Sequence, residues 1–175
     1  MKMTRQELLE EALELHADAA VAFALLAVDV PSEKWSSPSD EEKWTAAQVT
    51  EHLTLVYEVL LRELGGGSGM RIVTNFWQKA LARWFFLPRI LSSGIFPPGA
   101  RAPKETRPVS MRADQQTAVL AFEELAQTFQ QKVQIAYSRD PNTKLTHAYF
   151  GTYTLDSAVL LCAKHVLHHS NHLKS

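Results

Sequence analysis

Thr45-Ala-Ala-Gln-Val-Thr-Glu-His-Leu-Thr-Leu-Val-Tyr-Glu-Val-Leu-Leu-Arg-Glu-Leu64 carries a start signal, an apolar stripe and, directly after it, a stop. Thr45 and Gln48 have capping-box spacing, and Trp44 and Val49 stand where a hydrophobic staple would. Val49, Leu53, Val56, Leu60 and Leu64 recur at helical intervals, and His52 sits within the same stripe. Gly65-Gly-Gly-Ser-Gly69 holds four of the chain's seven glycines and ends the helix.

Working outward, Thr4-Arg-Gln-Glu7 forms a second capping box, with Met3 and Leu8 as its staple, opening a helix expected to reach about Val28. A third long helix is expected from near Ser110 through Val119, Phe122, Leu125, Phe129 and Val133 to about Tyr137. A fourth follows the Asp140-Pro141-Asn142 turn, with Thr154 as N-cap and Asp156 in its first turn, and runs from Leu155 nearly to the end. About 45 residues separate the second long helix from the third, too many for a hairpin. Within them, Asn75 to Leu91 reads as a short aromatic helix, and Pro88, Pro97, Pro98, Pro103 and Pro108 favour an extended crossing. So long a connection allows the helices it joins to run parallel. No strand alternation or internal repeat stands out, so the fold expected is an all-α four-helix bundle in a single domain spanning 1–175.

Composition excludes several function classes. The chain has 175 residues, 46% hydrophobic and 21% charged, long enough to bury roughly 70% of its unfolded surface. A net charge of −1 gives no general reason to expect nucleic-acid binding. No apolar run is long enough to span a membrane and no signal core opens the chain, so no membrane partner and a cytoplasmic location are expected. Cys162 is the single cysteine, which excludes an intramolecular disulfide and a CxxC motif. Charge is uneven: residues 1–44 carry net −6, whereas residues 71–112 carry eight basic residues against Glu105 alone. The two segments either neutralise each other or leave a basic stretch, with Arg71, Arg83 and Arg89 as candidates, to attract an anionic ligand.

The chemistry concentrates at the C-terminus, where His165, His168, His169 and His172 are four of the chain's seven histidines. At about 100° per residue all four fall on one broad arc that continues the apolar stripe of Ala158, Leu161 and Cys162. His165 and His169, four apart, lie one turn from each other, a spacing that suits two ligands of one metal ion. With His52 on another inward face, three imidazoles become available to Zn²⁺, Ni²⁺, Fe²⁺ or Cu²⁺. Register alone does not choose among the four terminal histidines. Cys162 reads as a buried thiol near them, His16 as ambiguous, and His147 as ordering its loop through a backbone hydrogen bond. The Trp77–Phe86 cluster reads as core or dimer interface, with a lid or a membrane-surface contact as alternatives.

Three segments together resemble the DinB and YfiT-like superfamily. They are LysTrpThrAlaAlaGlnValThrGluHisLeu (43–53), HisAlaTyrPheGlyThrTyrThrLeu (147–155) and HisValLeuHisHisSerAsnHis (165–172). The resemblance implies a bundle in up-down-down-up order and a metal triad of His52, His165 and His169, with His168 and His172 as neighbours. It departs at Ala148, where the family has proline, so the turn there is expected to be less rigid. It also implies a metal-dependent enzyme acting on a small molecule, with Zn or Ni as the expected metal and relatives that use low-molecular-weight thiols in S-transfer. The alternatives are a hydrolase using metal-activated water, and a non-catalytic metal-binding or interaction protein. A homodimer is compatible with each.

Overall fold

The computed structural model describes residues 3–37, 44–97, 99, 101–109 and 114–174. Four long helices carry it: α1 (Arg5–Val28), α3 (Ala46–Leu64), α6 (Gln115–Arg139) and α7 (Leu155–Leu173). Between them lie the single-turn α2 (Ser32–Trp35) and the short helices α4 (Phe76–Leu81) and α5 (Leu87–Ser93), with a 3₁₀ turn at Lys104–Thr106. Both capping boxes form as their spacing predicts, Thr4 with Glu7 and Thr45 with Gln48, each satisfying backbone donors that a helix start otherwise leaves bare.

Helix α6 begins at Gln115, with Asp114 as its N-cap; Ser110, the expected start, lies outside the described residues. Thr154 occupies the N-cap of α7, but its side chain bonds Ser157 Oγ at 3.2 Å rather than a backbone N–H.

Contacts at the helix ends establish the helix directions. Gln115 Nε2 donates to the carbonyls of Ala27, Val28 and Val30, joining the end of α1 to the start of α6. Arg5 reaches Asn142 at the opposite end, so α1 and α6 are antiparallel. Leu8 and Glu11 line a small groove with Asp156 and Leu160, so α1 and α7 start at the same end. Glu63, in the last turn of α3, accepts from Thr146 N and Oγ1 at 2.9 and 2.6 Å, placing the end of α3 near the start of α7. The order is therefore up-down-down-up, with α3 and α6 parallel across the long connection.

Helix α1 packs along α7 and also against α6, while α3 packs along α6. The α3–α7 seam is nearly free of backbone contact, and into it the remaining elements are built. Phe23, Tyr57, Phe122 and Phe129, all essentially inaccessible, fill the closed side in tilted ring contacts 4.7–5.7 Å apart.

Two features differ from the sequence expectation. Lys144–His147 and Gly151–Thr154 pair as an antiparallel hairpin, β1 and β2, that covers one end of the seam. Gly151 takes φ +72° there, a backbone conformation that residues with a Cβ rarely adopt, so the turn calls for glycine. Ala148, the substituted proline position, is fully buried, and its carbonyl accepts from Val73 N–H at 2.9 Å.

The aromatic segment is helical as expected but widened into a π turn at Ala82–Phe86, where Leu87 N–H donates to Ala82 O. Pro88, which has no N–H and would clash with the carbonyl one turn back, is accommodated directly after that wide turn. Its aromatic residues are not core: Phe76, Trp77, Trp84 and Phe85 are 69–78% exposed. Among the described residues no helix is long and apolar enough to cross a membrane.

Candidate metal centre

The seam between α3 and α7 holds a cavity of about 720 Å³. Val56 and Leu60 of α3, Leu161 and Cys162 of α7, Phe86 and Ile90 of the aromatic segment, and Phe150 and Tyr153 of the hairpin form its apolar wall. His52, His165 and His169 open onto it together. His165 Nε2 lies 3.2 Å from His52 Nε2 and 3.1 Å from His169 Nε2.

That spacing matches what one ion requires. Two imidazoles ligating a tetrahedral ion at 2.0–2.1 Å place their nitrogens roughly 3.3 Å apart. His52 Nδ1–H donates to the Thr106 carbonyl at 2.6 Å, so in the neutral ring Nε2 is a bare lone pair aimed at His165. A proton shared between rings would satisfy one nitrogen pair at a time, whereas a cation among the three satisfies all of them. The residues present therefore fit a divalent transition metal. The Thr106 contact also fixes ring orientation, as partners behind a ligating histidine do. His169 Nδ1 is buried with no hydrogen-bond partner.

Burial keeps all three rings neutral, the form that binds metal. It lowers the pKa of His52, partly offset by the Thr106 bond, and lowers His169 to about 2. His165 falls well below the usual histidine value, through burial first and then through His169, His52, His168 and His147. Trp44 packs over the site, 4.9 Å from the His52 ring and stacked 12° from parallel on His169 at 6.3 Å.

The other candidates separate by position. His168 turns to Phe96 and His172, with ring centroids 4.9 Å away in each case, and neither His168 nor His172 joins the three-nitrogen group. Cys162 lines the cavity, but burial pushes its thiol up to about 12. His16 lies in the closed core, bonded to Tyr57 Oη and Gln130. His147 Nδ1 accepts from Tyr149 N–H at 3.2 Å, so its neutral ring carries the proton on Nε2, at the cavity wall.

Of the basic stretch, Arg71, Arg83 and Arg89 do not line the cavity, and Arg83 is bonded to Thr152 O at 2.7 Å. Arg101 does line it, and sequence reasoning had not singled it out. Thr106 was missed as well, because a backbone carbonyl acceptor leaves no mark in residue type.

The family model of the DinB superfamily matches residues 4–173. Among solved structures the chain is similar to YfiT from Bacillus subtilis, described as a probable metal-dependent hydrolase with an unusual four-helix bundle topology. The likeness has a TM-score of 0.60 at 14% identity and covers 99% of this chain and 87% of that one. A comparison with curated proteins found no match.

Proposed function

The chain belongs to the DinB superfamily, and from that premise we propose that it is a metal-dependent enzyme whose ion is held by His52, His165 and His169. The observation that carries this reading is the convergence of three neutral imidazole nitrogens at 3.1–3.2 Å on the wall of a 720 Å³ cavity. Bound there, a divalent transition metal, Zn²⁺ or Ni²⁺, supplies Lewis-acid chemistry to whatever occupies its remaining positions. No fourth His, Cys, Asp or Glu among the described residues completes the group, which favours an open, reactive site over a closed structural one.

The reaction we favour is transfer to or from a low-molecular-weight thiol. No Asp or Glu lines the cavity among the described residues, so a hydrolytic route would lack the carboxylate base that activation of water favours. A thiol needs less help, since it loses its proton more readily than water does. The residues left to the protein are binding groups: an apolar wall for the acceptor substrate, the His147 Nε2–H as a neutral donor, and Arg101 for an anionic group. A steady-state screen of glutathione, bacillithiol and mycothiol with monochlorobimane, on metal-free and metal-loaded protein, tests the proposal. Thiol-dependent turnover that requires metal supports it; background rates with every thiol overturn it, and thiol-independent product release would favour the hydrolase reading.

A further inference from the structure

The hairpin brings one more polar group to the cavity, and the three-histidine centre makes no use of it. His147 ends β1, pairs with Gly151 across the turn and lines the cavity. Its Nδ1 accepts from Tyr149 N–H at 3.2 Å within that turn, so the proton of the neutral ring sits on Nε2. The Nε2 edge, on the far side of the ring, is left to the cavity, and Nε2–H meets no acceptor among the described residues. Burial lowers the pKa from 6.5 to about 4, so the ring stays a neutral donor near pH 7.

The donor is also held still. Its ring stacks on Phe150 at 4.4 Å, 14° from parallel, and meets Tyr153 edge-on at 6.2 Å. Val73 N–H donates to the Ala148 carbonyl at 2.9 Å, Thr74 Oγ1 to the Tyr149 carbonyl at 3.1 Å, and Tyr149 Oη to the Arg101 carbonyl at 2.6 Å. Those bonds fasten the turn to the connection between α3 and α6, although Ala148 lacks the stiffness of proline. A donor fixed in advance loses little freedom when a ligand meets it.

We propose, on the reading of this cavity as the reaction site, that His147 selects the substrate: an uncharged carbonyl compound with an apolar body, its oxygen accepting from Nε2–H. As a pure donor towards the cavity, the ring complements a carbonyl oxygen and not an ammonium or amide N–H. Among Leu60, Phe86, Ile90, Phe150 and Leu161 it offers no charge to offset the burial of a carboxylate or phosphate. A donor left unmatched in such surroundings is costly, and a polar group in an apolar site rejects ligands that lack its partner for that reason. His147 is near enough to the metal ligands to contribute to the depressed pKa of His165, so a compound of modest size can reach both.

The test measures how tightly the metal-free full chain binds 2-acetylnaphthalene, its alkene counterpart 2-isopropenylnaphthalene, and 2-naphthoate. Wild type is expected to prefer the ketone to the alkene at least about fivefold, the lower bound for leaving a buried donor unmatched. His147→Asn keeps an acceptor for Tyr149 N–H but loses the cavity donor, and should bind the two alike. Long-range nitrogen–proton NMR correlation on wild type should show His147 protonated at Nε2, with that resonance shifting on addition of the ketone and not of the alkene. This wild-type readout decides the matter should H147N fail to fold. Equal binding of ketone and alkene, or binding of neither, overturns the proposal, as do a proton on Nδ1 and a ketone preference undiminished in H147N. Tighter binding of 2-naphthoate than of the ketone overturns it in favour of an anion site at Arg101. Neither metal nor thiol is present, so failure here leaves the metal reading standing, and background thiol turnover leaves the role of His147 standing.

Discussion

Lowering the pH should expose the cost of the buried His16 in a way that isolates one side chain. His16 is 0% exposed, its Nδ1 accepts from the Gln130 amide at 3.0 Å, and its Nε2–H donates to Tyr57 Oη at 2.8 Å. A second proton would have to enter at Nδ1, where an amide N–H already points. Burial lowers the pKa from 6.5 to about 4. The unfolded chain therefore takes up a proton near pH 6.5, while the folded chain resists it until about pH 4. Above pH 6.5 the group contributes no pH dependence. Between the two values the unfolded state binds more protons, so stability falls with falling pH, and below about pH 4 the loss is complete. At about 1.4 kcal/mol per unit, the total is about 3 kcal/mol. Urea unfolding of metal-free wild type and His16→Gln from pH 7.5 to 4 measures it, because the other buried histidines cancel in the difference. The variant should lose about 3 kcal/mol less than wild type across that window. Parallel profiles, or an NMR titration placing His16 near 6.5, would refute the reasoning.

Further outcomes follow from the same geometry. His169→Ala should weaken metal binding by more than roughly 100-fold, a larger loss than removing a second-layer partner, while His168→Ala stays within a few-fold; isothermal titration with Zn²⁺ and Ni²⁺ distinguishes them, and equal losses would show the triad to be misassigned. Phe122→Ala, at the centre of the closed helix seam, should cost about 3–5 kcal/mol in denaturant unfolding; a loss under 1 kcal/mol would contradict the packing described. Cys162, with its thiol held up at about 12 by burial, should resist iodoacetamide in the native metal-free protein at pH 8 and react once unfolded. Rapid native alkylation would show a more open cavity than the one found.

The long helices were legible because their information is local. Two capping boxes and 3.6-residue apolar stripes lie in short windows, and the structure places the caps at Thr4 and Thr45. The histidine group was half legible. Spacing brought His165 and His169 to one face and put His52 on another inward face, but that the two faces meet depends on the topology of the long crossover. Four terminal histidines on one arc were equivalent to a helical wheel. Position in space separates them, since only His165 and His169 come together with His52, while His168 packs against Phe96 and His172; no periodicity in the proline-rich crossing announces the Phe96 contact.

The hairpin escaped because its strands are four residues each, too short for alternation to register against the turn residues around them. The aromatic segment was legible only in part: of the readings its sequence left open, the exposure of Trp77 and Trp84 removes the core. A helix wheel shows that Trp77, Leu81 and Trp84 share a face but not which side of the helix meets the bundle. That is decided by Leu87 and Ile90, which are buried on the opposite side.

The central claim is that His52, His165 and His169 hold one metal ion with positions left open. X-ray absorption at the metal edge on Zn²⁺- or Ni²⁺-loaded protein, with stoichiometry from elemental analysis of the same sample, tests it most directly. The account predicts one ion per chain, three imidazole nitrogens and the remaining positions taken by lighter exchangeable ligands. Failure to bind metal, a sulfur ligand from Cys162, or a fourth protein nitrogen closing the shell would contradict it.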